Sequence, residues 1–232
     1  MPPRVKRIAR WTARVLAIVV VAAGLYIAWD QAHYNLGMVQ AGRIYRSGQM
    51  PASALTRTIR DHRVRTVLNL RGTNKDRWYL DERKATLDAG AAQVDIAMSS
   101  CIWMSRAQLR TVVQMLDSAE YPILIHCQWG AERTGLVSAF TELLRPGGSI
   151  ASARAQFSLA YLFVRMGDGK VMAEHLDQYE RWLAEHGWTH EPARFRQWVN
   201  DGYRPGSPSR EEWQYGDPYP LVVISVPETR TR

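Results

Sequence analysis

The chain has 232 residues, of which 46% are hydrophobic and 22% are charged. These proportions are those of a globular protein with a buried core, and they exclude an intrinsically disordered chain. The two cysteines, Cys101 and Cys127, form no CxxC pair, so a disulfide framework and a zinc-finger site are excluded. The formal net charge of +8 suits an anionic substrate or an anionic lipid surface. We expect no nucleic-acid partner, and the composition leaves the oligomeric state open.

The N-terminus combines a basic cluster with an apolar run. Residues 1–14 contain five cations and no acid: Arg4, Lys6, Arg7, Arg10 and Arg14. Val15 to Trp29 carry no charge and no proline, and with the residues from Trp11 onward the stretch approaches the ~20 residues that span a bilayer. The pattern predicts a transmembrane signal-anchor at residues 15–30, with residues 1–14 in the cytoplasm by the positive-inside rule.

Two other interpretations of this segment are a cleaved signal peptide and a buried core helix. A signal peptide has the same order of basic and apolar residues. However, Trp29 and Tyr34 stand where a cleavage site needs small residues, which favours an uncleaved anchor. In a Gram-negative bacterium such an anchor holds the chain in the inner membrane, with the domain that follows in the periplasm.

Strand-like and helix-like segments alternate over residues 31–202, and a proline-rich extension follows at residues 203–232. Apolar, β-branched runs predict strands within residues 42–51, 64–72, 92–98 and 121–127. Helical periodicity is found in residues 51–62, 76–90, 105–119 and 133–144, and in most of 150–200. The run PLVVISVP (220–227) is either a late strand or a segment packed against the body. The alternation predicts an α/β fold with a central, mostly parallel sheet flanked by helices, and sites at the carboxyl ends of its strands.

The stretch ILIHCQWGAERTG, residues 123–135, places Cys127 in a turn between a predicted strand and a predicted helix. Backbone N–H groups in such a turn make a nest for an anion, and the same field lowers the pKa of a thiol. Gly130 permits the positive φ of a tight turn, and Arg133 can offer a planar guanidinium to two oxygens of one anion. The pattern predicts a cysteine nucleophile aimed at a bound phosphoryl group, with Thr134 able to donate a hydrogen bond to the sulfur.

This stretch resembles the signature His-Cys-x-x-Gly-x-x-Arg-Ser/Thr-Gly of the cysteine-dependent protein tyrosine phosphatase superfamily. Every fixed position is present: His126, Cys127, Gly130, Arg133, Thr134 and Gly135. YRSGQ (45–49) and VLNLRG (67–72) resemble segments of its compact dual-specificity-like branch, so the resemblance covers residues 42–200. It implies a dual-specificity phosphatase-like fold and a reaction without metal or other cofactor. Cys127 forms a cysteinyl-phosphate, which water then hydrolyses.

The resemblance also implies roles for the residues around Cys127. The phosphate-binding loop comprises Gln128, Trp129, Gly130, Ala131, Glu132 and Arg133. His126 is expected behind the loop, where it tunes the thiolate. Arg46 and Arg71 are expected as supporting residues, either structural or at the mouth of the site.

The general acid is a departure from the family pattern. The family takes it from an aspartate in the loop before the signature strand, but that loop, AMSSCIWMSR (97–106), contains no carboxylate. Asp95 lies slightly early, inside a predicted strand. Glu132 stands where myotubularin-like lipid phosphatases have an aspartate, and we favour it over Asp95 as the proton donor.

The substrate is expected to be a phosphate ester at the membrane surface. With the predicted anchor, an envelope lipid or lipid A-like phosphate is favoured over a tyrosine or dual-specificity phosphoprotein substrate. Trp103, Met104 and Trp129 are candidates to contact an acyl or sugar group at the mouth, with buried packing as the alternative. A non-catalytic phosphate-binding module is the alternative from another class, and a rhodanese-type sulfur transferase is disfavoured by the motif.

Overall fold

The computed structural model describes residues 3–209 and 222–227 of the chain. Residues 1–2, 210–221 and 228–232 lie outside the described part, and with them much of the extension predicted at 203–232. The chain divides into two compact units, Met1–Tyr34 and Asn35–Arg232.

The first unit contains one helix, α1, which runs over Pro3–Ala32. Its segment Arg10–Ala32 is long and apolar enough to cross a membrane. Its large apolar side chains are exposed, among them Leu16 at 65% and Ile18 at 67%. Because a core helix buries such side chains, the structure excludes a core helix and leaves a membrane span or a signal sequence.

The second unit is a six-stranded sheet flanked by helices. Its strands are β1 Gly37–Gln40, β2 Ile44–Ser47, β3 Thr66–Asn69, β4 Ala92–Ile96, β5 Ile123–His126 and β6 Val222–Ser225. Its α-helices are α2 Ala52–Asp61, α3 Arg77–Asp88, α4 Arg106–Ser118, α5 Glu132–Leu144, α6 Ile150–Arg154, α7 Lys170–Glu185 and α8 Pro192–Gln197. A 3-10 turn covers Leu159–Tyr161, and a π turn covers Trp198–Gly202.

The order of the strands is β1-β2-β5-β3-β4-β6. The four central strands are parallel, whereas β1 and β6 join the two edges antiparallel. This sheet confirms the predicted α/β fold with a mostly parallel sheet. His126, the last residue of β5, is level with Ser47 of β2 and Asn69 of β3. The loops after these strands therefore leave the sheet along one edge, which is where α/β folds place their sites.

Side-chain alternation along the strands explains why helices cover both faces. Ile123 and Ile125 of β5 belong to the main core together with residues of α4, α5 and α7, whereas Leu124 between them is buried outside that cluster. Helices α2 and α3 contact each other and supply no residue of the main core, so they cover the opposite face.

Of the two edge strands, one differs from the sequence interpretation and one agrees with it. Strand β1 was not predicted, because its four residues follow a turn and lack the β-branched run that marks the central strands. Residues 222–225 form β6 beside β4, which confirms the late-strand alternative for PLVVISVP.

Trp103 and Met104 do not line a mouth, and that part of the sequence interpretation is wrong. They are only 8% and 2% exposed. The Trp103 ring packs 4.5 Å from the buried ring of His175, and the Met104 carbonyl accepts a 2.7 Å hydrogen bond from Tyr203. Apolar packing holds this part of the 97–106 loop inside the core.

Candidate active site

Cys127 directly follows β5, and the loop of residues 127–131 leads from it into α5. The apolar run Ile123–His126 forms a fully buried strand, which fixes the start of the loop. Gly130 has a φ of +74°, a conformation that is strained for any residue with a side chain. The predicted strand, turn and helix are therefore all present around the cysteine.

The loop carbonyls are held from outside. Three consecutive ones accept hydrogen bonds: Gln128 O from the Gln49 N–H (3.1 Å), Trp129 O from Asn35 Nδ2 (3.0 Å) and Gly130 O from Arg46 Nη2 (2.6 Å). Because a trans peptide points its N–H away from its carbonyl, these bonds turn the N–H groups of residues 129–131 toward the inside of the loop. The Gly130 N–H accordingly donates to Cys127 Sγ at 3.3 Å. The loop is an N–H nest around the sulfur, of the kind that binds anions.

The thiol of Cys127 is 1% exposed. Burial on its own raises the pKa of a thiol, but the positive charge of Arg133 and hydrogen bonds from Thr134 and the Gly130 N–H outweigh it, so the pKa of Cys127 lies below its ordinary value. The lowered pKa favours the thiolate, which is the nucleophilic form of cysteine.

Arg133 lies in the first turn of α5, beside the nest. Its Nη1 donates to the carbonyl of Met98 at 3.2 Å, which ties it to the loop after β4. Its Nε is buried and has no hydrogen-bond partner among the described residues. Buried donors without a partner are rare in folded proteins. The arrangement leaves this donor for an anion bound above Cys127.

Two glycines allow the loop to approach the turn after β2. A Cβ on Gly130 would lie 2.6 Å from the backbone nitrogen of Gly48, and a Cβ on Gly48 would lie 3.1 Å from the carbonyl oxygen of Gln128. Backbone atoms cannot move aside as side chains can. Both positions therefore require glycine if the loop is to keep its shape.

His126 is buried next to the nucleophile, with Nδ1 3.3 Å from the carbonyl oxygen of Cys127. Its Nε2 lies 3.3 Å from Oε1 of the buried Glu82 on α3, although the two atoms are not aligned for a hydrogen bond. Burial lowers the pKa of a histidine, but the Glu82 carboxylate outweighs burial and raises the pKa of His126 above its ordinary value. This buried pair fixes the residue that precedes Cys127.

Arg46 and Arg71 occupy different positions around the site. Arg46 is fully buried, donates to both oxygens of Gln156 as well as to Gly130, and lies 3.7 Å from the Tyr161 ring. It therefore holds the outside of the loop. Arg71 is half-buried, stacks 3.6 Å over the Trp78 ring and donates to Gln49. Burial, followed by the nearby charge of Arg133, lowers the pKa of Arg71.

Asp95 is held in a buried network. It is 1% exposed, and its carboxylate accepts hydrogen bonds from Asn69 and Gln93 on one oxygen and from Tyr79 on the other. Burial raises the pKa of Asp95, which these hydrogen bonds partly oppose. Asn69 in turn accepts the Arg71 N–H, so the network fixes the turn that carries Arg71.

Glu132 is the first residue of α5 and is half-buried. Its side chain packs against Gly169, where a Cβ would lie 3.1 Å from its Cγ. The described part of the chain offers the Glu132 carboxylate no hydrogen-bond or ion-pair partner. Of the two candidate acids, Asp95 is held by hydrogen bonds, whereas Glu132 precedes Arg133 and has no such bonds among the described residues.

Asn35 and Glu82 were not predicted as residues of the site, and Gln49 was expected only as a turn residue of the YRSGQ segment. Asn35 is 3% exposed and Glu82 2% exposed, although both stand in polar stretches of sequence. Their contacts bridge segments up to 126 residues apart, as between Asn35 and Tyr161. No local pattern could have revealed them.

Comparisons with solved structures give several folds similar to this one. TpbA of P. aeruginosa is 21% identical, over 63% of this chain and 92% of TpbA, with a TM-score of 0.45. The core catalytic domain of the PP-IP phosphatase SIW14 of S. cerevisiae is 21% identical, over 66% of this chain and 93% of that domain, with a TM-score of 0.48. Such similarity concerns the fold and not the substrate.

No curated protein matches the sequence. The sequence does match a family model described as "DSP-PTPase phosphatase fused to NAD+ Kinase", over residues 3–172. The matched range includes the cysteine loop, Arg133 and all four parallel strands. The chain therefore belongs to this family, and it is a DSP-like phosphatase of the cysteine-dependent protein tyrosine phosphatase superfamily.

Proposed function

We propose that this phosphatase is a membrane-anchored phosphomonoester hydrolase that uses Cys127 as its nucleophile and acts on a lipid phosphate of the envelope, such as a lipid A-like phosphate. The observation that carries the catalytic part is the N–H nest around the Cys127 sulfur, whose pKa is lowered, beside the buried Nε of Arg133, which has no partner among the described residues. A phosphate dianion fits both the nest and the guanidinium.

In the first step the Cys127 thiolate attacks phosphorus, a sulfur–phosphorus bond forms and the bond to the ester oxygen breaks. A general acid gives its proton to the leaving oxygen. The N–H groups of the loop and Arg133 hold the charge on the remaining phosphoryl oxygens as it redistributes. In the second step the carboxylate left by the acid takes a proton from water, the water oxygen attacks phosphorus, the sulfur–phosphorus bond breaks and phosphate is released. The sulfur leaves as a thiolate, stabilised by the hydroxyl of Thr134.

For the general acid we propose Glu132 in preference to Asp95. The three hydrogen bonds and the burial of Asp95 support a structural role for that carboxylate. Glu132 is half-buried beside Arg133, and the described residues leave its carboxylate free to carry a proton.

The proposed membrane anchor is the apolar helix at residues 15–30, with the catalytic domain at 31–202 and an extension at 203–232. The exposed apolar surface of α1 supports an anchor. In a Gram-negative cell the domain would be periplasmic, where phosphorylated lipids are at hand. The exposed Trp129, at 56%, supports an apolar substrate group near the nest. A phosphoprotein substrate is the alternative.

The nucleophile is tested with the purified full-length chain in detergent and p-nitrophenyl phosphate. Cys127→Ser should abolish turnover, whereas Cys101→Ser should leave it unchanged, because Cys101 is an exposed free thiol. Acid quenching of the wild type should trap a phosphorylated cysteine at position 127. A folded wild-type chain that binds phosphate but turns over no ester would instead support a phosphate-binding module.

The acid is tested with Glu132→Gln and Asp95→Asn on esters with good and poor leaving groups. Loss of the true acid slows esters of poor leaving groups most, because only these need protonation. We expect that selectivity for Glu132→Gln. Selectivity for Asp95→Asn would reverse the assignment.

The substrate class is tested by presenting lipid A, phosphatidic acid and a phosphotyrosine peptide at equal phosphate concentrations. We expect the highest kcat/KM for a lipid. A preference for the peptide would replace the lipid proposal with a phosphoprotein phosphatase.

A further inference from the structure

We propose that an exposed apolar rim beside the nest docks the active site onto the bilayer that holds the chain's own N-terminal helix. The rim consists of Trp129, Leu159, Val164 and Met166, whose side chains are 56%, 71%, 50% and 71% exposed. The inference rests on the proposed membrane anchor and deepens the proposed function, because it says how the site would reach a lipid headgroup.

The rim belongs to two loops that one side chain joins. Asn35 Nδ2 donates both to the Trp129 carbonyl and to the Tyr161 carbonyl, each at 3.0 Å. Tyr161 closes the 3-10 turn that begins at Leu159. Gly37 packs against the Tyr161 ring so closely that a Cβ there would lie 2.5 Å from it. Trp129 and the turn that begins at Leu159 are therefore joined beside the nest. Val164 and Met166 follow Phe163, which packs with Ala131 of the cysteine loop.

Chain connectivity keeps Asn35 near the end of the apolar helix. Ala32 ends the segment able to span a membrane, and Asn35 follows three positions later. Each residue spans at most about 3.6 Å when extended, so Asn35 lies within about 11 Å of that end in any orientation of the domain. An inserted helix therefore holds the Asn35 amide, and the two loops bonded to it, near the headgroup layer.

The chemistry of the rim suits a lipid surface. Tryptophan favours the headgroup level of a bilayer, and leucine, valine and methionine favour the acyl region below it. The cations next to the rim are already paired: Arg165 with Asp177, and Arg154 with Asp177 and Glu180. We therefore expect docking by apolar insertion, with little dependence on anionic lipid or on salt.

The chain offers a matched control surface. Leu80 on α3 and Ile224 on β6 are 53% and 56% exposed, but they lie at the opposite edge of the sheet from β1 and Asn35. Polar substitutions there also remove exposed apolar surface, although both side chains are less exposed than Leu159 and Met166. Only substitutions in the rim should affect docking.

The deciding experiment measures depth in the membrane. The full-length chain carrying Cys101→Ser and Cys127→Ser is given a single cysteine by Met166→Cys or Ile224→Cys, labelled with an environment-sensitive dye and assembled into phosphatidylcholine nanodiscs. Lipids with a nitroxide near the headgroup should quench the dye at position 166 at least about 3-fold more than the dye at position 224. Equal quenching at the two positions would overturn the proposal, and would leave a protein partner or a second copy to cover the rim.

Turnover gives a second readout in chains with both native cysteines. The double variant Leu159→Gln/Met166→Gln should lower kcat/KM for phosphatidic acid in nanodiscs about 10-fold and leave p-nitrophenyl phosphate turnover unchanged. Leu80→Gln/Ile224→Gln should change neither. Quenching at position 166 without lipid turnover by the wild type would support docking and defeat only the lipid substrate. Loss of p-nitrophenyl phosphate turnover in the wild type would defeat the phosphatase reaction itself.

Discussion

Arg46 Nη2 and the carbonyl oxygen of Gly130 are 2.6 Å apart, and this bond holds the middle of the anion-binding loop from outside. The same guanidinium reaches both oxygens of Gln156, so it connects the loop to the segment after α6. The buried Arg46 thereby fixes the peptide between Gly130 and Ala131, whose N–H belongs to the nest. The residue positions the loop and does not touch the substrate.

Arg46→Lys should lower kcat/KM for p-nitrophenyl phosphate about 10-fold or more, because one ammonium group cannot reproduce the planar fork that joins Gln156 and Gly130. The alkylation of Cys127 by iodoacetamide should also shift to higher pH, since a loosened nest stabilises the thiolate less. Arg43→Lys is the control, because Arg43 is exposed and stacks on Tyr121. An unchanged alkylation profile in Arg46→Lys would argue against the positioning role.

Substitutions of Arg133 should separate its charge from its geometry. Arg133→Met removes the charge that lowers the pKa of Cys127, so half-maximal alkylation should move to higher pH. Arg133→Lys keeps the charge and should keep more of the low pKa, but it loses the two-pronged contact and should lower kcat/KM about 100-fold or more. Equal alkylation profiles in wild type and Arg133→Met would contradict this assignment.

Gly130→Ala should be far more damaging than Gly147→Ala, although the two glycines have φ values of +74° and +72°. Nothing lies within 4 Å of a Cβ on Gly147, so this substitution should cost about 1 kcal/mol of stability from its conformation alone. At Gly130 the added Cβ meets backbone atoms of Gly48, and activity should fall about 100-fold. Denaturant unfolding and turnover of both variants provide the measurement.

His175 should make the protein less stable in mild acid. It is fully buried against Trp103, where burial lowers its pKa to about 4. The unfolded chain therefore binds this proton more tightly, so stability is lost as the pH falls from about 6.5 toward about 4, by up to roughly 3 kcal/mol.

The measurement is the free energy of unfolding between pH 4 and 7 for the wild type and two variants on helix α7. His175→Gln should reduce the slope of the free energy of unfolding against pH by up to the amount that one bound proton contributes. His186→Gln, at the exposed end of the helix, should leave this slope unchanged. His126 acts in the opposite sense. Its pKa is raised, so its contribution is present below the unfolded pKa and fades as the pH rises through the folded value. An unchanged slope in His175→Gln would refute the assignment.

The parts of the fold that local patterns determine could be predicted. The buried strand Ile123–His126, the glycine in the turn and the helix beginning at Glu132 are consecutive in the chain, so the nest and its nucleophile follow from a dozen residues. The central strands likewise carry β-branched runs. Periodicity and turn chemistry are both local properties, and for that reason they can be recognised in the sequence.

The supports of the nest could not be predicted, because they depend on contacts between distant segments. Glu82 lies in the charged helix α3 and reads as a surface residue, yet folding buries it against His126. Trp103 could be assigned from the sequence either to the mouth of the site or to the core, and only the folded structure shows it packed in the core against His175. Arg46 could be placed only in general terms, since its role depends on Gly130 and Gln156, more than 80 residues away.

The bonds of Asn35 have a consequence for the substrate concentration on which the rate of such an enzyme depends. Under the proposed function, Asn35 lies within about 11 Å of the end of an inserted helix, and the site whose loop it bonds draws lipid from two dimensions. Its rate then follows the mole fraction of phosphorylated lipid in the surrounding leaflet, and diluting the vesicles in buffer leaves it unchanged. The substrate concentration that determines the rate would thus be the surface density of the lipid and not its concentration in solution.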